Sequence, residues 1–347
     1  MSNIKSDSIF QKFYRMQIFW PLISLIVLLL VNFFVRPGFM SITIKDGHLF
    51  GNLIDILNRA APLILISLGM TIVIATQGID ISVGSIIAIS AAVSATVIVD
   101  GGSVPVAVLA GVVVGAVCGI WNGFLVSYIG VQPMVGTLIL YIVGRGIAQL
   151  ITGGQILTFT NENFIFIGTG YWFLPVAIYI AAIITFAIYW LIRKTALGLF
   201  VESIGVNSTS SRYSGINAKK VIFSLYVICG ILAGIAGIII CSNIKSADAN
   251  NAGLWLELDA ILATVIGGTS MAGGRFYLGG TVVGALFIQT LTTTIYSMGV
   301  PPEITLVVKA IVVIVVCIIQ SDEFRKMLKG KKSVSTKKYK EKEVAGV

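Results

Sequence analysis

Long apolar runs recur from Ile18 to Gln320, each parted from the next by a short stretch of glycines, hydroxyls and charges. A helix needs roughly 20 mostly apolar residues to cross a bilayer. The pattern predicts spans at Ile18–Val35, Pro62–Thr76, Ser82–Val99, Val106–Tyr128, Met134–Ile151, Phe173–Ile192, Val221–Cys241, Leu258–Gly267, Leu278–Met298 and Thr305–Gln320. The eighth run is too short for a full crossing and reads as a broken or re-entrant helix. The predicted fold is all-α, a polytopic transmembrane helical bundle of about ten spans. It divides the chain into a cytoplasmic N-terminal segment (1–17), a membrane domain (18–320) and a basic cytoplasmic tail (321–347).

Ten crossings put both termini on one side. With the N-terminus inside, the cytoplasmic face receives Lys5, Lys12, Arg15, Arg193, Lys194, Arg212, Lys219, Lys220, Arg275 and the tail. The outer face receives Arg36, Lys45, Arg59 and Lys245. This asymmetry follows the positive-inside rule and gives an N-in, C-in orientation. Lys5, Lys12 and Arg15 precede the first apolar run as in a signal peptide, but no small-x-small cleavage site follows. The run is read as an uncleaved first span.

Composition sharpens the class. Charged residues make up 11% of the chain and hydrophobic ones 56%, whereas soluble domains carry about a quarter charged. The net charge of +9 invites a nucleic-acid reading. Much of it lies in the tail, at Lys326, Lys329, Lys331, Lys332, Lys337, Lys338, Lys340 and Lys342. Beside a last span, such a tail fits orientation and anionic membrane lipid, not nucleic acid. Cys118, Cys229, Cys241 and Cys317 sit singly in apolar runs, so neither a metal nor a disulfide framework is expected.

Several polar residues stand where lipid would penalise them. Residues 76–85, TQGIDISVGS, interrupt two spans with an amide, a carboxylate and hydroxyls. Asp80 must face protein, water or headgroups. Gly78, Gly84 and Ser85 permit a tight reversal, and Asp80 or Ser82 is placed to cap the helix that follows. The same turn is a candidate lining or gate of a translocation pathway. Arg145, between Gly144 and Gly146, either snorkels outward, where Gln149 and Gln155 also lie, or pairs with a carboxylate such as Asp80 or with a polar substrate. Lys309 reads as snorkelling, and Asn122 as an interhelical hydrogen bond. His48 has no assigned role.

The long loop 193–220 carries one helix-compatible piece. Asn207 or Ser208 can cap a helix through Ser211, Arg212 and Tyr213, ended by Gly215. It is either a plain connection or a docking element for a cytoplasmic partner. A loose echo links residues 73–87 with 262–276, each an apolar run, a glycine-containing break and a new apolar start. The chain has no phosphate-binding loop, nucleophile elbow, HExxH or ladder of intramembrane acids and histidines. Any energy for pumping is therefore expected from outside it.

Four stretches, TQGIDISVGS (76–85), VQPMVGTLILYIVGRGIAQLITGGQ (131–155), SGINAKKV (214–221) and AILATVIGGTSMAGGRFYLGGTVVGAL (260–286), resemble the ribose/xylose/galactoside class of ATP-binding-cassette (ABC) sugar-importer permeases. The match is ordered and spans residues 60 to 320. NNAGLWLELDAIL (250–262) and FIQTLTTTIYSMGVPPE (287–303) are most similar to its galactofuranose-type subgroup. The resemblance implies a multi-pass permease of the bacterial cytoplasmic (inner) membrane, working by alternating access. It implies a second permease copy or paralogue, a cytoplasmic ATPase that holds the ATP and Mg, and an extracytoplasmic sugar-binding protein. This chain would need no cofactor and be no enzyme. The pathway or gate would comprise Gln77, Gly78, Asp80, Ser82, Gly84, Ser85, Asn122, Gln132, Arg145, Gln155, Gly267, Gly268, Thr269, Gly273 and Gly274. The coupling loop would comprise Glu202, Asn207, Arg212, Ser214, Gly215 and Ile216. Arg212 and Tyr213 stand where the family commonly has alanines. Rival readings are an ion-driven secondary transporter using Asp80, a membrane enzyme or channel, and an ABC permease for branched-chain amino acids or nucleosides.

Overall fold

The computed structural model describes residues 18–35, 38–45 and 47–320. The N-terminal segment 1–17 and the basic tail lie outside those residues. Among the described residues the fold is helical apart from connecting turns and two small two-stranded antiparallel sheets. α1 (Phe19–Val35) leads into β1 (Thr43–Lys45) and β2 (His48–Phe50). α2 (Asn52–Ile74), α3 (Val83–Val99) and α4 (Val104–Phe124) follow, the last extended by a π turn, Leu125–Ile129. Next come α5 (Pro133–Ile151), β3 (Leu157–Thr158), α6 (Glu162–Thr169), α7 (Val176–Lys194), α8 (Leu197–Val206) and α9 (Ser208–Tyr213). α10 (Ala218–Ile244), β4 (Ser246–Ala247), α11 (Leu256–Ile266), α12 (Leu278–Ser297) and α13 (Pro302–Gln320) complete the chain.

Among the described residues six helices are long and apolar enough to cross a membrane: α2, α4 with its π turn, α5, α7, α10 and α12. α1, α3 and the apolar part of α13 are shorter, and α11 has only 11 residues. This matches the ten-span order, with the eighth crossing built by a short helix. The second crossing begins at Asn52, ten residues before the predicted Pro62. Asn58 and Arg59 hid its first turns from a hydropathy reading, and Pro62 sits inside the helix. Neighbouring helices tolerate such a proline in a membrane bundle. α6 and α8 were not foreseen.

α2, α3 and α10 form the centre. Every residue of α2 from Ala60 to Ile74 is buried, the mark of a helix surrounded by protein. α4, α5 and α7 present apolar side chains outward, such as Leu109, Ile142 and Phe186. α4 meets α10 along a small-residue seam: Gly111, Gly115, Gly119 and Gly123 recur every fourth position. A Cβ on Gly119 would fall 2.8 Å from the Val227 Cα, and one on Gly230 would fall 2.8 Å from the Gly119 Cα. Such spacing lets two helix backbones touch where no hydrophobic drive between helices exists. Ser90 and Ser94 of α3 donate to the Gly111 and Ala107 carbonyls and tie in the third helix.

Lys309 does not snorkel. Its Nζ donates to both oxygens of Asp259 at 2.9 and 3.0 Å, joining α13 to α11. Both side chains are largely buried, so pairing within the bundle outweighs reaching for water. Removing one member strands a buried charge, at a cost of about 3–5 kcal/mol, whereas removing both is close to neutral. Lys309→Met and Asp259→Leu alone are expected to lower the Tm in detergent, and the double variant to recover most of the loss; a double variant as weak as either single one would show that the pair is incidental. For orientation, Asp100→Cys is expected to react with an impermeant maleimide from outside and Lys219→Cys only after lysis. Labelling of both from one face would overturn the topology.

Candidate site at two broken crossings

The first break follows α2. Gln77 takes a left-handed backbone (φ 65), and residues 78–82 run without helical bonds until α3 begins at Val83. Its polar groups are met by side chains from other spans. The Thr137 hydroxyl of α5 accepts from the Ile81 N–H at 3.2 Å, and lies 3.3 Å from the Ile79 carbonyl. Asp80 is fully buried. Its Oδ1 accepts from the Ser82 N–H (3.0 Å), the Ser82 hydroxyl (2.6 Å) and Asn122 Nδ2 (3.3 Å). Asn122, held by the glycine seam of α4, also donates to Ser82 Oγ at 2.7 Å. Asn122 is thus the interhelical link expected. Asp80 braces the turn before α3, and the N-cap Ser82 makes no side-chain cap bond, so the expected cap is replaced by this turn.

The second break precedes α11. After α10 ends, β4 pairs with β3 in the register Leu157↔Ala247 and Thr158↔Ser246, and residues 248–255 then descend without regular helix. Asp248 Oδ1 accepts from the Asn250 and Asn251 N–H groups. Arg145 of α5 neither snorkels nor pairs with Asp80. Its Nη1 donates to the carbonyls of Ala252 (2.6 Å), Ala249 (3.1 Å) and Asn250 (3.4 Å). Bare carbonyls at membrane depth need donors, and a guanidinium supplies several from one side chain. Gln149, one turn on, donates to Asn250 Oδ1 at 2.6 Å.

The two breaks touch. A Cβ on Gly84 would lie 2.6 Å from the Gly253 carbonyl and collide with Glu257 Oε2. On the other side of this first turn of α3, a Cβ on Gly144 of α5 would lie 2.9 Å from Ser85 Oγ. The Ser85 hydroxyl in turn reaches the Leu140 carbonyl at 3.1 Å. Glu257 is buried at the start of α11. Its Oε2, Asp80 Oδ2, Asn122 Oδ1, the Tyr226 hydroxyl and Arg145 Nη2 have no hydrogen-bond partner among the described residues.

At its α8 end the first break meets the loop in which the coupling residues are expected. Gln77 Nε2 donates to the Gly205 carbonyl at 2.8 Å, and the Gly274 N–H to the Ala75 carbonyl at 2.9 Å. Gly205 ends α8, and a Cβ there would collide with Ala75 and Gly274. Gly267, Gly268, Thr269, Gly273 and Gly274 form the turn between α11 and α12. The break of that crossing therefore lies before α11, not after it. The Thr269 hydroxyl accepts from the Tyr277 N–H at 3.2 Å. The two segments that echo each other in sequence pack side by side here.

α9 hangs from this junction. Asn207 Oδ1 accepts from the Ser210 N–H at 2.9 Å, the expected cap, and Gly215 (φ 83) ends the turn. Tyr213 is 88% exposed. Arg212, Ser214 and Gly215 are also exposed, and Ile216 is partly buried. A groove of about 1000 Å³ runs between α9 and the start of α10. Glu202 sits on α8 facing Arg193 at 3.9 Å, a half-exposed pair. Gln132 and Gln155 are exposed at opposite ends of α5 and join neither break. Glu257 and Thr137 are the residues that sequence reasoning passed over. A carboxylate inside NNAGLWLELDAIL was the available signal for the first; a lone threonine gave none.

Gly84→Leu is expected to wedge the two breaks apart, costing about 1–3 kcal/mol by overpacking. A thermal scan in detergent would show a lowered Tm, with Gly146→Leu, which opens on empty space, as the unaffected control. Equal scans would mean the contact is not tight.

The family described as branched-chain amino acid transport system / permease component matches residues 52–317. The chain is 50% identical over 321 residues to the galactofuranose transporter permease protein YtfT of Escherichia coli K12, covering 90% of this chain and 94% of that one. It is 36% identical to the fructose import permease protein FruF of Bifidobacterium longum, covering 94% of each. Identity to the ribose import permease protein RbsC of Bacillus subtilis is 37%, covering 86% of this chain and 91% of the relative. No solved structure matches.

Proposed function

The chain belongs to the branched-chain amino acid transport system / permease component family and is a multi-pass inner-membrane permease subunit of an ABC sugar importer, and from this premise we propose that its cargo is a monosaccharide, galactofuranose before ribose or fructose. The observation that carries the choice of cargo is the 50% identity to the galactofuranose permease along nearly the whole of both chains. The family description also admits branched-chain amino acids.

In this reading a second permease copy or paralogue completes the membrane unit. A separate ATPase holds ATP and Mg and docks on α9, and an extracytoplasmic binding protein delivers the sugar. ATP binding moves α9, and the movement passes through Gly205 to Gln77 and Gly274, where both crossings change direction. Asp80, Ser82, Asn122, Ser85 and Gly84 keep the first break in shape while it shifts, and the passage runs beside the two breaks. Arg212 and Tyr213, exposed on α9, select the ATPase.

The test is purification in mild detergent. A copurifying ATPase whose hydrolysis rises with a galactose-loaded binding protein supports the importer reading. A chain that purifies alone and carries solute on an ion gradient removes it and turns attention to Asp80. Asn207→Leu deletes the cap of α9, worth about 1 kcal/mol. Uptake is expected to fall severalfold with membrane insertion unchanged; full ATP-driven uptake would take α9 out of the mechanism.

A further inference from the structure

Each polar hydrogen beside Asp80 has one place to go. Ser82 has a single hydroxyl hydrogen, and it goes to Asp80 Oδ1 at 2.6 Å. Ser82 Oγ must then accept, and it does so from Asn122 Nδ2 at 2.7 Å. The second Nδ2 hydrogen serves Asp80 Oδ1 at 3.3 Å, and the Ser82 N–H reaches the same oxygen at 3.0 Å. These bonds fix the Asn122 amide with its nitrogen toward the turn, and its Oδ1 is left over. Asp80 Oδ1 thus collects three donors, while Asp80 Oδ2 and Asn122 Oδ1 have none among the described residues.

That asymmetry does not suit a carboxylate. An ionised carboxyl spreads its charge over two oxygens, and both can only accept. Here one oxygen is crowded with donors and the other is bare, and Asp80, Ser82 and Asn122 are all fully buried. Among the described residues no lysine, arginine or histidine pairs with Asp80. Two basic side chains of the bundle are spent elsewhere, Arg145 on the carbonyls of the second break and Lys309 on Asp259. The titratable groups that feel the Asp80 field are Cys118 of α4 and Tyr226 and Cys229 of α10, and none of these is a cation. A buried carboxylate without a counter-charge is so costly that the group takes up a proton instead. A neutral carboxyl is asymmetric by nature, with one carbonyl oxygen that accepts and one hydroxyl that donates. Oδ2 of Asp80 and Oδ1 of Asn122 belong to side chains already in contact, and between them they lack one hydrogen.

We propose that Asp80 is a neutral carboxylic acid with its proton on Oδ2, and that it braces the first break as an uncharged hydrogen-bonding group and not as a coupling carboxylate. Oδ1 is then the carbonyl oxygen that gathers the three donors, and the Oδ2 proton supplies the missing hydrogen. Asp80 is a positioning residue that shapes the turn between α2 and α3 and adds no charge to it. This goes beyond the choice of cargo and does not depend on the importer reading.

Infrared spectroscopy of the purified permease at neutral pH tests it, with every aspartate carboxyl labelled with carbon-13. The label separates aspartates from glutamates such as the buried Glu257. The expected result is a protonated-carboxyl C=O stretch that the label displaces and that disappears in Asp80→Asn. No displaced acid stretch in the unaltered chain would overturn the proposal, and so would a stretch that survives in Asp80→Asn. The first of these needs no variant, so it decides even where the variant fails to fold. Thermal scans in detergent add a second check. Asp80→Asn keeps the acceptor and puts an N–H donor where the acid has its O–H, so its Tm is expected to stay near the unaltered value. Asp80→Leu removes both and is expected to lower the Tm by a few degrees. A Tm for Asp80→Asn as low as that of Asp80→Leu would show that the turn needs the charge, which would sink the proposal.

Discussion

Two stretches of backbone leave helical geometry inside the membrane, where neither lipid nor bulk water can satisfy their amides and carbonyls. That constraint organises the interior. Thr137 serves residues 79 and 81, Asp80 serves Ser82, and Arg145 serves three carbonyls of the second break, those of Ala249, Asn250 and Ala252. Thr137 and Arg145 come from α5 and Asn122 from α4, which must sit within hydrogen-bond reach of the breaks, so the breaks constrain the packing of α4 and α5. Arg145 shows the trade most plainly. A guanidinium on a membrane helix is costly, and a set of bare carbonyls is costly too. Each offsets the other.

Close approach is what makes such reach possible. The glycine seam lets α4 lie backbone to backbone on α10 and sets Asn122 against Asp80 and Ser82. Gly84 plays the same part between the breaks, leaving room for Glu257 and the Gly253 carbonyl. Where long side chains take over, they do so with charge, as in the Lys309–Asp259 pair between α13 and α11. Small residues therefore build the close-packed centre, and an ion pair holds its rim.

In the proposed transport cycle, the contacts around Gly205 would give a short mechanical path. The exposed α9 is joined through α8 to Gly205, and Gly205 touches the end of α2 and the turn before α12 at once. In that proposal, a displacement of α9 would reach both crossings without a long relay.

The sequence by itself determined the helical class, the order of ten crossings, the short eighth helix and the capped piece at Asn207–Gly215. These follow from local properties: apolar run length, charge asymmetry and a side chain bonding three residues ahead. Asn122 as an interhelical link was also legible, because a carboxamide inside an apolar run has few other uses. Tertiary structure alone decided the partners. Arg145 found carbonyls 104 to 107 residues away, Lys309 found Asp259, and the second break fell before α11 instead of at its glycine-rich end. Hydropathy records only how much a residue dislikes lipid. Which distant group relieves it depends on how closely the helices approach, and the folded bundle sets that distance.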